Sequence, residues 1–283
     1  MTHLVRLGSA RFSWCLRCLA LALSCLLPAQ PAFAQPTLAQ SGTADRASVP
    51  RSDIIRLLAA LPDYADFRSE MRTLGFRGEK LDLAVAHAEL IYRDPVIAGY
   101  VADRVIAAYG APETGADARG LIGPLIERGL PHMSTAELGY YHRVEKLMME
   151  ALPVRDCGRI MRNRMPPGQF VRVMSRMAAR LNTAGLRNYY RLQAKAARHG
   201  VTRPPVRLSR ARMDAVETRI AEALATRIAQ SDSPRVMQRA IGNLPGASNA
   251  RACAIGRMFM DIVADMEGQE QRDALLYLSL PSP

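Results

Sequence analysis

Positively charged side chains recur at helical spacing in the middle of the chain. Arg172, Arg176 and Arg180 are each four residues apart, so they lie along one side of a helix. The same spacing recurs at Arg187, Arg191 and Lys195. Like charges at this spacing destabilise a helix by a few tenths of a kcal/mol per pair, unless anions compensate them. The chemistry that this pattern indicates is the binding of anions.

The predicted basic face lies within residues 155–212, which contain 15 basic residues and one acidic residue. The whole chain has 38 basic and 26 acidic residues, so the positive charge is concentrated in this segment. The residues predicted to form the binding face are Arg159, Arg162, Arg172, Arg176, Arg180, Arg187, Arg191, Lys195 and Arg198.

The anions opposite this face could belong to the protein itself or to a partner. Acids of the chain that could neutralise it are Asp63, Asp66, Glu70, Asp82, Asp214, Glu217 and Glu222. External candidates are anionic lipid headgroups, lipopolysaccharide phosphates and an acidic partner protein. Nucleic acid is not expected, because only Tyr189 and Tyr190 offer stacking beside the arginines.

Residues 1–34 form a predicted signal peptide, for which the pattern is given below. Beyond it the chain has two cysteines, Cys157 and Cys253. An even pair in an exported chain predicts a disulfide. The alternative is a reactive thiol at Cys157, which lies at a predicted helix start where the helix dipole favours thiolate.

Evidence for a metal or a catalytic site is weak. His142 and Glu145 are three residues apart on one predicted helix, with His132 upstream, but a metal site needs three or four ligands. We therefore predict that they are surface side chains, with no metal and no cofactor. The methionines lie on apolar helix faces, which favours core packing over copper binding. Nucleophile-elbow, zinc-protease and phosphate-loop motifs are absent from the sequence.

The first 34 residues are typical of a cleaved secretory signal peptide. Three arginines without any acidic residue precede the apolar run 18–27, and 32–34 is a small-x-small peptidase site. A membrane anchor is the alternative, but ten helical residues span only about 15 Å. Lipid attachment at Cys25 is weaker, because the preceding residues match a lipobox poorly. The sequence predicts a periplasmic or secreted protein without a transmembrane segment.

Helical periodicity, broken by Gly and Pro at short intervals, dominates the rest of the chain. We predict an all-α fold, a helical bundle or stacked helical hairpins, with about ten helices and one disulfide. A flexible leader at 35–50 would precede a single helical domain at 51–280. The clearest helix start is Ser134, which forms a capping box with Glu137.

A short internal similarity relates two of the predicted helices. Residues 134–145 align without a gap to residues 182–193, an offset of 48, with Thr, Ala, Leu, Tyr and Arg coinciding. A repeat of this length is typical of stacked helical hairpins, and chance agreement between helices rich in Ala and Leu is the alternative.

These observations favour a non-enzymatic binding or adaptor protein of the cell envelope, which would engage an anionic partner or surface through its basic helical face. The alternative is a helical periplasmic hydrolase that acts on envelope glycans. Such an enzyme needs a carboxylic acid in a cleft, whereas Glu137 is already explained as a capping residue.

Overall fold

The computed structural model describes residues 49–109 and 121–280, and this part of the chain contains α-helices and short 3-10 turns but no strand. The first seven helices are α1 Arg51–Ala60, α2 Ala65–Thr73, α3 Glu79–Tyr92, α4 Pro95–Tyr109, α5 Ile122–Gly129, α6 Thr135–Ala151 and α7 Val154–Met161. The remaining six are α8 Pro167–Ala178, α9 Thr183–Thr202, α10 Arg210–Ala229, α11 Pro234–Gly242, α12 Asn249–Ala264 and α13 Gly268–Ser279.

The all-α class is confirmed, but the predicted number of about ten helices is wrong, because the described residues form thirteen. One helix that the sequence does not predict is α5. It contains Gly123 and Pro124 and ends at Gly129, residues that normally mark loops. Tertiary packing stabilises it, since the apolar side chains of Ile122, Leu125 and Ile126 are buried.

Helix starts are defined by side-chain caps at several places. The Ser134 hydroxyl accepts from the Glu137 backbone N–H, and the Glu137 carboxylate accepts from the Ser134 backbone N–H. This confirms the predicted capping box. At the start of α9 the Asn182 side chain accepts from the Gly185 N–H at 2.7 Å.

The glycine crossing, formed by Gly129 of α5 and Gly200 of α9, brings two helix backbones into direct contact. A Cβ at Gly129 would lie 1.7 Å from the carbonyl oxygen of Ala196, and a Cβ at Gly200 would lie 2.0 Å from that of Leu125. Only glycine fits at both positions, because no side chain can enter the space between the helices.

The disulfide crossing is a second close contact, between α7 and α12. A Cβ at Gly158 would lie 2.3 Å from the carbonyl oxygen of Asn249. One residue earlier, Cys157 is bonded to Cys253, with their Cα atoms 5.2 Å apart. The predicted disulfide is thus present, and the reactive-thiol alternative for Cys157 is wrong for this structure.

The two similar segments 134–145 and 182–193 form equivalent parts of α6 and α9. Each helix begins after a residue whose side chain caps the third backbone N–H. Their equivalent tyrosines, Tyr141 and Tyr189, stack on each other with ring centroids 5.0 Å apart. A duplication of one helical hairpin would place equivalent residues at the same helix positions in this way, and it stays a hypothesis.

Buried apolar side chains from α1 to α13 form one core, between Ile54 and Leu276 along the chain. No helix among the described residues is long and apolar enough to cross a membrane. The predicted signal peptide, 1–34, and nearly all of the predicted leader, 35–50, lie outside the described residues. The single domain at 51–280 stays a prediction.

Candidate functional site

Four arginines of the predicted binding face are exposed and make no ion pair or side-chain hydrogen bond with any described residue. They are Arg172, Arg176, Arg180 and Arg191, which we call the unpaired arginines. Arg172 and Arg176 lie on the same side of α8, whose opposite side is buried through Val171, Met174 and other residues. Arg180 follows in the turn after α8, and Arg191 lies in the middle of α9.

Three other members of the predicted face are paired with acids of the same chain. Arg187 contacts Glu79 at 2.7 Å, and Lys195 contacts Glu137 at 2.6 Å. A third pair joins Arg198 to Asp94 at 2.5 Å. All three cations lie on α9, so this helix is largely neutralised by helices that pack beside it.

The two remaining members of the face donate hydrogen bonds to uncharged oxygen atoms, and those of Arg162 lie at the disulfide crossing. Arg162 donates to the carbonyl oxygen of Ala247 at 3.0 Å and to the side-chain oxygen of Asn249 at 2.5 Å. Burial, together with the nearby Arg164 and Arg159, lowers the pKa of Arg162. Arg159 donates to the Arg164 carbonyl oxygen at 3.4 Å. Arg162 therefore stabilises the fold.

The acids that neutralise the face differ from those that charge alone suggested. Of the seven acids predicted from the sequence, Asp214 pairs with a cation of the basic segment, Arg210. The acids that contact the predicted face are Glu79, Asp94 and Glu137, which lie at or near the starts of α3, α4 and α6. Sequence position gave no signal for these pairs, because each joins residues far apart in the chain.

Glu137 has two structural roles and is ionised. Its carboxylate accepts from Ser134 and from Lys195. The hydrogen bond from Lys195 is the main reason that the pKa of Glu137 is lowered. A general acid needs the opposite shift, so Glu137 is unsuited to protonating a leaving group.

A buried polar cluster lies between α6 and α9, and the sequence did not predict it. Tyr189 O–H and Gln193 Nε2–H both donate to the Tyr141 hydroxyl oxygen, each at 3.4 Å. Glu145 lies one turn further along α6, and the Tyr141 hydroxyl lowers its pKa. Glu145 is 8% exposed and Gln193 is fully buried. We call these four residues the buried acid cluster.

The surroundings of Glu145 disfavour its ionised form. Burial raises the pKa of Glu145 well above its usual range, and the negative charge of Glu127 raises it further. The Tyr141 hydroxyl acts in the opposite direction but does not offset these effects. No cation among the described residues forms an ion pair with Glu145, so the neutral form is the one that the interior accommodates.

The prediction that His142 and Glu145 are surface residues is wrong, because both are buried. The His142 Nε2 atom lies 3.3 Å from the carbonyl oxygen of Met260 on α12. Burial lowers the pKa of His142 to about 4. His132, the third residue considered, packs instead against His199 with ring centroids 6.0 Å apart. The described residues hold no group of three or more His, Cys, Asp or Glu side chains that could bind a metal.

A second buried histidine, His87 on α3, stacks face to face on Tyr190 of α9 with ring centroids 4.1 Å apart. Neither ring nitrogen of His87 has a hydrogen-bond partner among the described residues. Burial lowers the pKa of His87 to about 3, so this histidine is neutral and serves as a packing residue.

Comparison of the chain with models of protein families, with curated proteins and with solved structures finds no match.

Proposed function

We propose that this protein is an exported, non-enzymatic binding or adaptor protein of the cell envelope that engages an anionic partner or surface through its unpaired arginines. The N-terminal sequence supports a periplasmic or secreted location, since residues 1–34 have the three parts of a signal peptide. The proposed partner is an anionic envelope component such as lipid headgroups or lipopolysaccharide phosphates.

The observation that carries the proposal is the contrast between paired and unpaired arginines in one basic segment. Arg187 and Arg198 have acids of the chain opposite them, whereas Arg172 and Arg176 repel each other on α8 without a described partner. A row of like charges that the fold does not neutralise is available to an external polyanion.

The experiment is binding to vesicles that contain anionic lipid or lipopolysaccharide, across a series of salt concentrations. The fourfold variant R172Q/R176Q/R180Q/R191Q should bind several hundredfold more weakly than wild type, at about fivefold per arginine. Its remaining binding should depend less on salt, because fewer charges are screened.

The matched control is R51Q/R93Q/R187Q/R198Q, which removes the same charge from arginines that pair with Asp103, Asp63, Glu79 and Asp94. This variant should bind far better than the first one. Equal losses of vesicle binding in both variants would show that binding depends on net charge alone, which would contradict a defined binding face. Retention by an acidic protein but not by vesicles would assign the same face to a protein partner.

A helical hydrolase acting on envelope glycans is the second candidate, and the raised pKa of the Glu145 carboxyl group favours it. Glycan cleavage uses a carboxylic acid with a raised pKa beside a second carboxylate, and Glu127 provides the neighbouring charge. The test is incubation of purified peptidoglycan with wild type and Glu145→Gln. Release of soluble fragments by wild type alone would support the enzyme, and no release by wild type would exclude it for this substrate.

A further inference from the structure

Two histidines, His132 and His199, meet beside the glycine crossing. His132 ends the 3-10 turn Leu130–His132 that follows α5, and His199 precedes Gly200 in α9. Their rings lie edge to face, with centroids 6.0 Å apart and planes at 87°. The backbones at Gly129 and Gly200 are in direct contact with the other helix, so the segments that carry the two histidines cannot shift freely relative to each other.

Each of these histidines has a ring nitrogen without a hydrogen-bond partner among the described residues. They are Nε2 of His132 and Nδ1 of His199, and both atoms are buried although the two residues are partly exposed. Burial lowers the pKa of both histidines, and the charge of Arg203 lowers it further. The neutral imidazole that these effects favour carries a lone pair and is the form that binds metal ions.

We propose that His132 and His199 form a two-histidine site for a divalent late transition-metal ion, with Cu²⁺ bound more tightly than Ni²⁺ or Zn²⁺. Imidazole nitrogen suits all three ions, and Cu²⁺ has the highest affinity in this series. Mg²⁺ and Ca²⁺ prefer oxygen ligands, so these ions should not bind. Because the pair supplies two ligands, water molecules complete the coordination.

The separation of the two rings fits a shared ion. With a metal–nitrogen distance of about 2.0 Å, two imidazole rings on one ion have centroids about 5 Å apart at a tetrahedral angle and about 6 Å apart at a wide angle. The observed separation of 6.0 Å corresponds to the wide angle. It therefore allows both rings to contact one ion while the helix backbones stay in place.

The charges around the pair favour reversible binding. Arg203 directly follows α9, and Lys195 lies one turn before His199. The charge of Lys195 is compensated by its ion pair with Glu137 at 2.6 Å, and the negative charge of Glu137 also acts on His199. Dedicated zinc sites have three or four protein ligands. A pair of histidines beside one uncompensated arginine should accordingly hold its ion more weakly than such a site and exchange it.

A bound ion would also join the two segments that meet at the glycine crossing. His132 belongs to the turn after α5 and His199 to α9, so a shared ion links these segments where no covalent bond does. An ion that binds the folded chain alone raises the temperature of unfolding as its concentration increases.

Isothermal titration of the full chain with Cu²⁺, Ni²⁺ and Zn²⁺ at pH 7.5 tests the proposal. The protein carries no histidine tag, and His3 is replaced by Ala in every sample so that the N-terminal segment supplies no imidazole. One ion per chain should bind, and Tm should rise with the ion concentration. Binding should weaken as the pH falls below about 6, because protonated imidazole has no free lone pair. Mg²⁺ should produce neither effect.

Single variants show whether both histidines hold the ion. Loss of a group that only supports a ligand already weakens metal binding by 10–100-fold, so His132→Gln or His199→Gln should weaken it by about 100-fold or more. His87→Phe is the matched control, because His87 also has ring nitrogens without a described partner but stacks on Tyr190 instead of a second histidine. This variant should bind the ion as wild type does.

Electron paramagnetic resonance of the Cu²⁺-loaded protein counts the nitrogen ligands directly. Wild type should show splitting from two nitrogens, and each single glutamine variant should show splitting from one. Unchanged affinity in His132→Gln and His199→Gln, or failure of wild type to bind any of the three ions, would overturn the proposal. If the variants do not fold, a wild-type spectrum without two nitrogen ligands would overturn it by itself.

Discussion

Two pairs of helices in this protein touch at the level of their backbones, and different interactions keep them together. At the disulfide crossing, Gly158 of α7 meets Asn249 of α12 one residue after the bonded Cys157. At the glycine crossing, Gly129 of α5 meets Ala196 of α9. No covalent bond joins the second pair, and packing alone keeps it together.

The difference teaches that a close contact between helices can depend on packing alone or on packing together with a covalent bond. A disulfide also restricts the unfolded chain, whereas the packing of α5 on α9 acts only in the folded state. The two crossings are therefore expected to lose stability through different kinds of substitution.

Removal of the disulfide should produce the largest effect. In Cys157→Ala/Cys253→Ala the loop between residues separated by 96 positions is no longer closed in the unfolded chain. The chain-entropy model gives a loss of about 4 to 5 kcal/mol in the free energy of unfolding. Urea unfolding under identical pH and salt measures it. A loss below about 1 kcal/mol would show that packing at Gly158 is sufficient without the bond.

Alanine at the glycine crossing should have the next largest effect. The Cβ of Gly129→Ala would overlap the Ala196 backbone, so α5 and α9 must separate, at a cost of about 3 kcal/mol. Gly242→Ala is the matched control, because a Cβ there meets no atom within 4 Å. Urea unfolding should separate the two variants clearly. Similar stabilities would mean that α5 and α9 adjust without loss and that the crossing is not tight.

Acid should act on α9 and α12, one helix from each crossing, through different histidines. His87 packs on α9 and His142 on α12, and burial lowers the pKa of these residues to about 3 and about 4. The unfolded chain then binds more protons below about pH 6.5, so each histidine lowers stability by about 1.4 kcal/mol per pH unit as the pH falls. In the variant His87→Phe, the free energy of unfolding should fall less between pH 7 and pH 4 than it does in wild type. Urea unfolding at several pH values measures it.

His142→Phe should also reduce the dependence of the free energy of unfolding on pH. It should do so over a narrower pH range than His87→Phe, because the pKa of His142 is lowered less. If both variants lose as much stability at low pH as wild type does, other titrating groups cause that loss.

Loss of a helix cap should give the smallest effect, and an equal one at the two similar helices. Ser134→Ala and Asn182→Ala each remove one side-chain acceptor from a helix start, which costs about 1 kcal/mol. Thermal or urea unfolding measures both. A much larger loss for Asn182 would indicate that α9, the helix at the glycine crossing, controls stability more than α6 does.

Local signals in the sequence predicted most of the helices. Ser134 marks a real helix start, and the pair Cys157 and Cys253 is bonded as expected. The helix α5 escaped prediction because Gly123, Pro124 and Gly129 resemble a loop when they are considered without their neighbours. These residues form a helix because they pack against α9, some 70 residues later in the chain, where Gly200 allows the two backbones to approach closely.

The candidate sites depended even more on contacts between distant residues. Charge density predicted a basic face, but the acids opposite Arg187 and Arg198 lie more than 100 positions away. Glu145 is three residues from His142, a spacing that fits a surface pair as well as a buried one. Its burial follows from the helices that pack against α6, among them α9 and α12, whose positions the sequence alone did not give.

The disulfide also determines what a protease can release from this protein. Helices α8 to α11, with all four unpaired arginines, lie between Cys157 and Cys253 in the chain. The stretch 204–209 within this loop has no regular secondary structure, which makes it a natural site for a proteolytic nick. After such a cut the two fragments stay covalently joined until the bond is reduced. The protein would therefore keep its arginine-bearing helices attached in a protease-rich, oxidising surrounding.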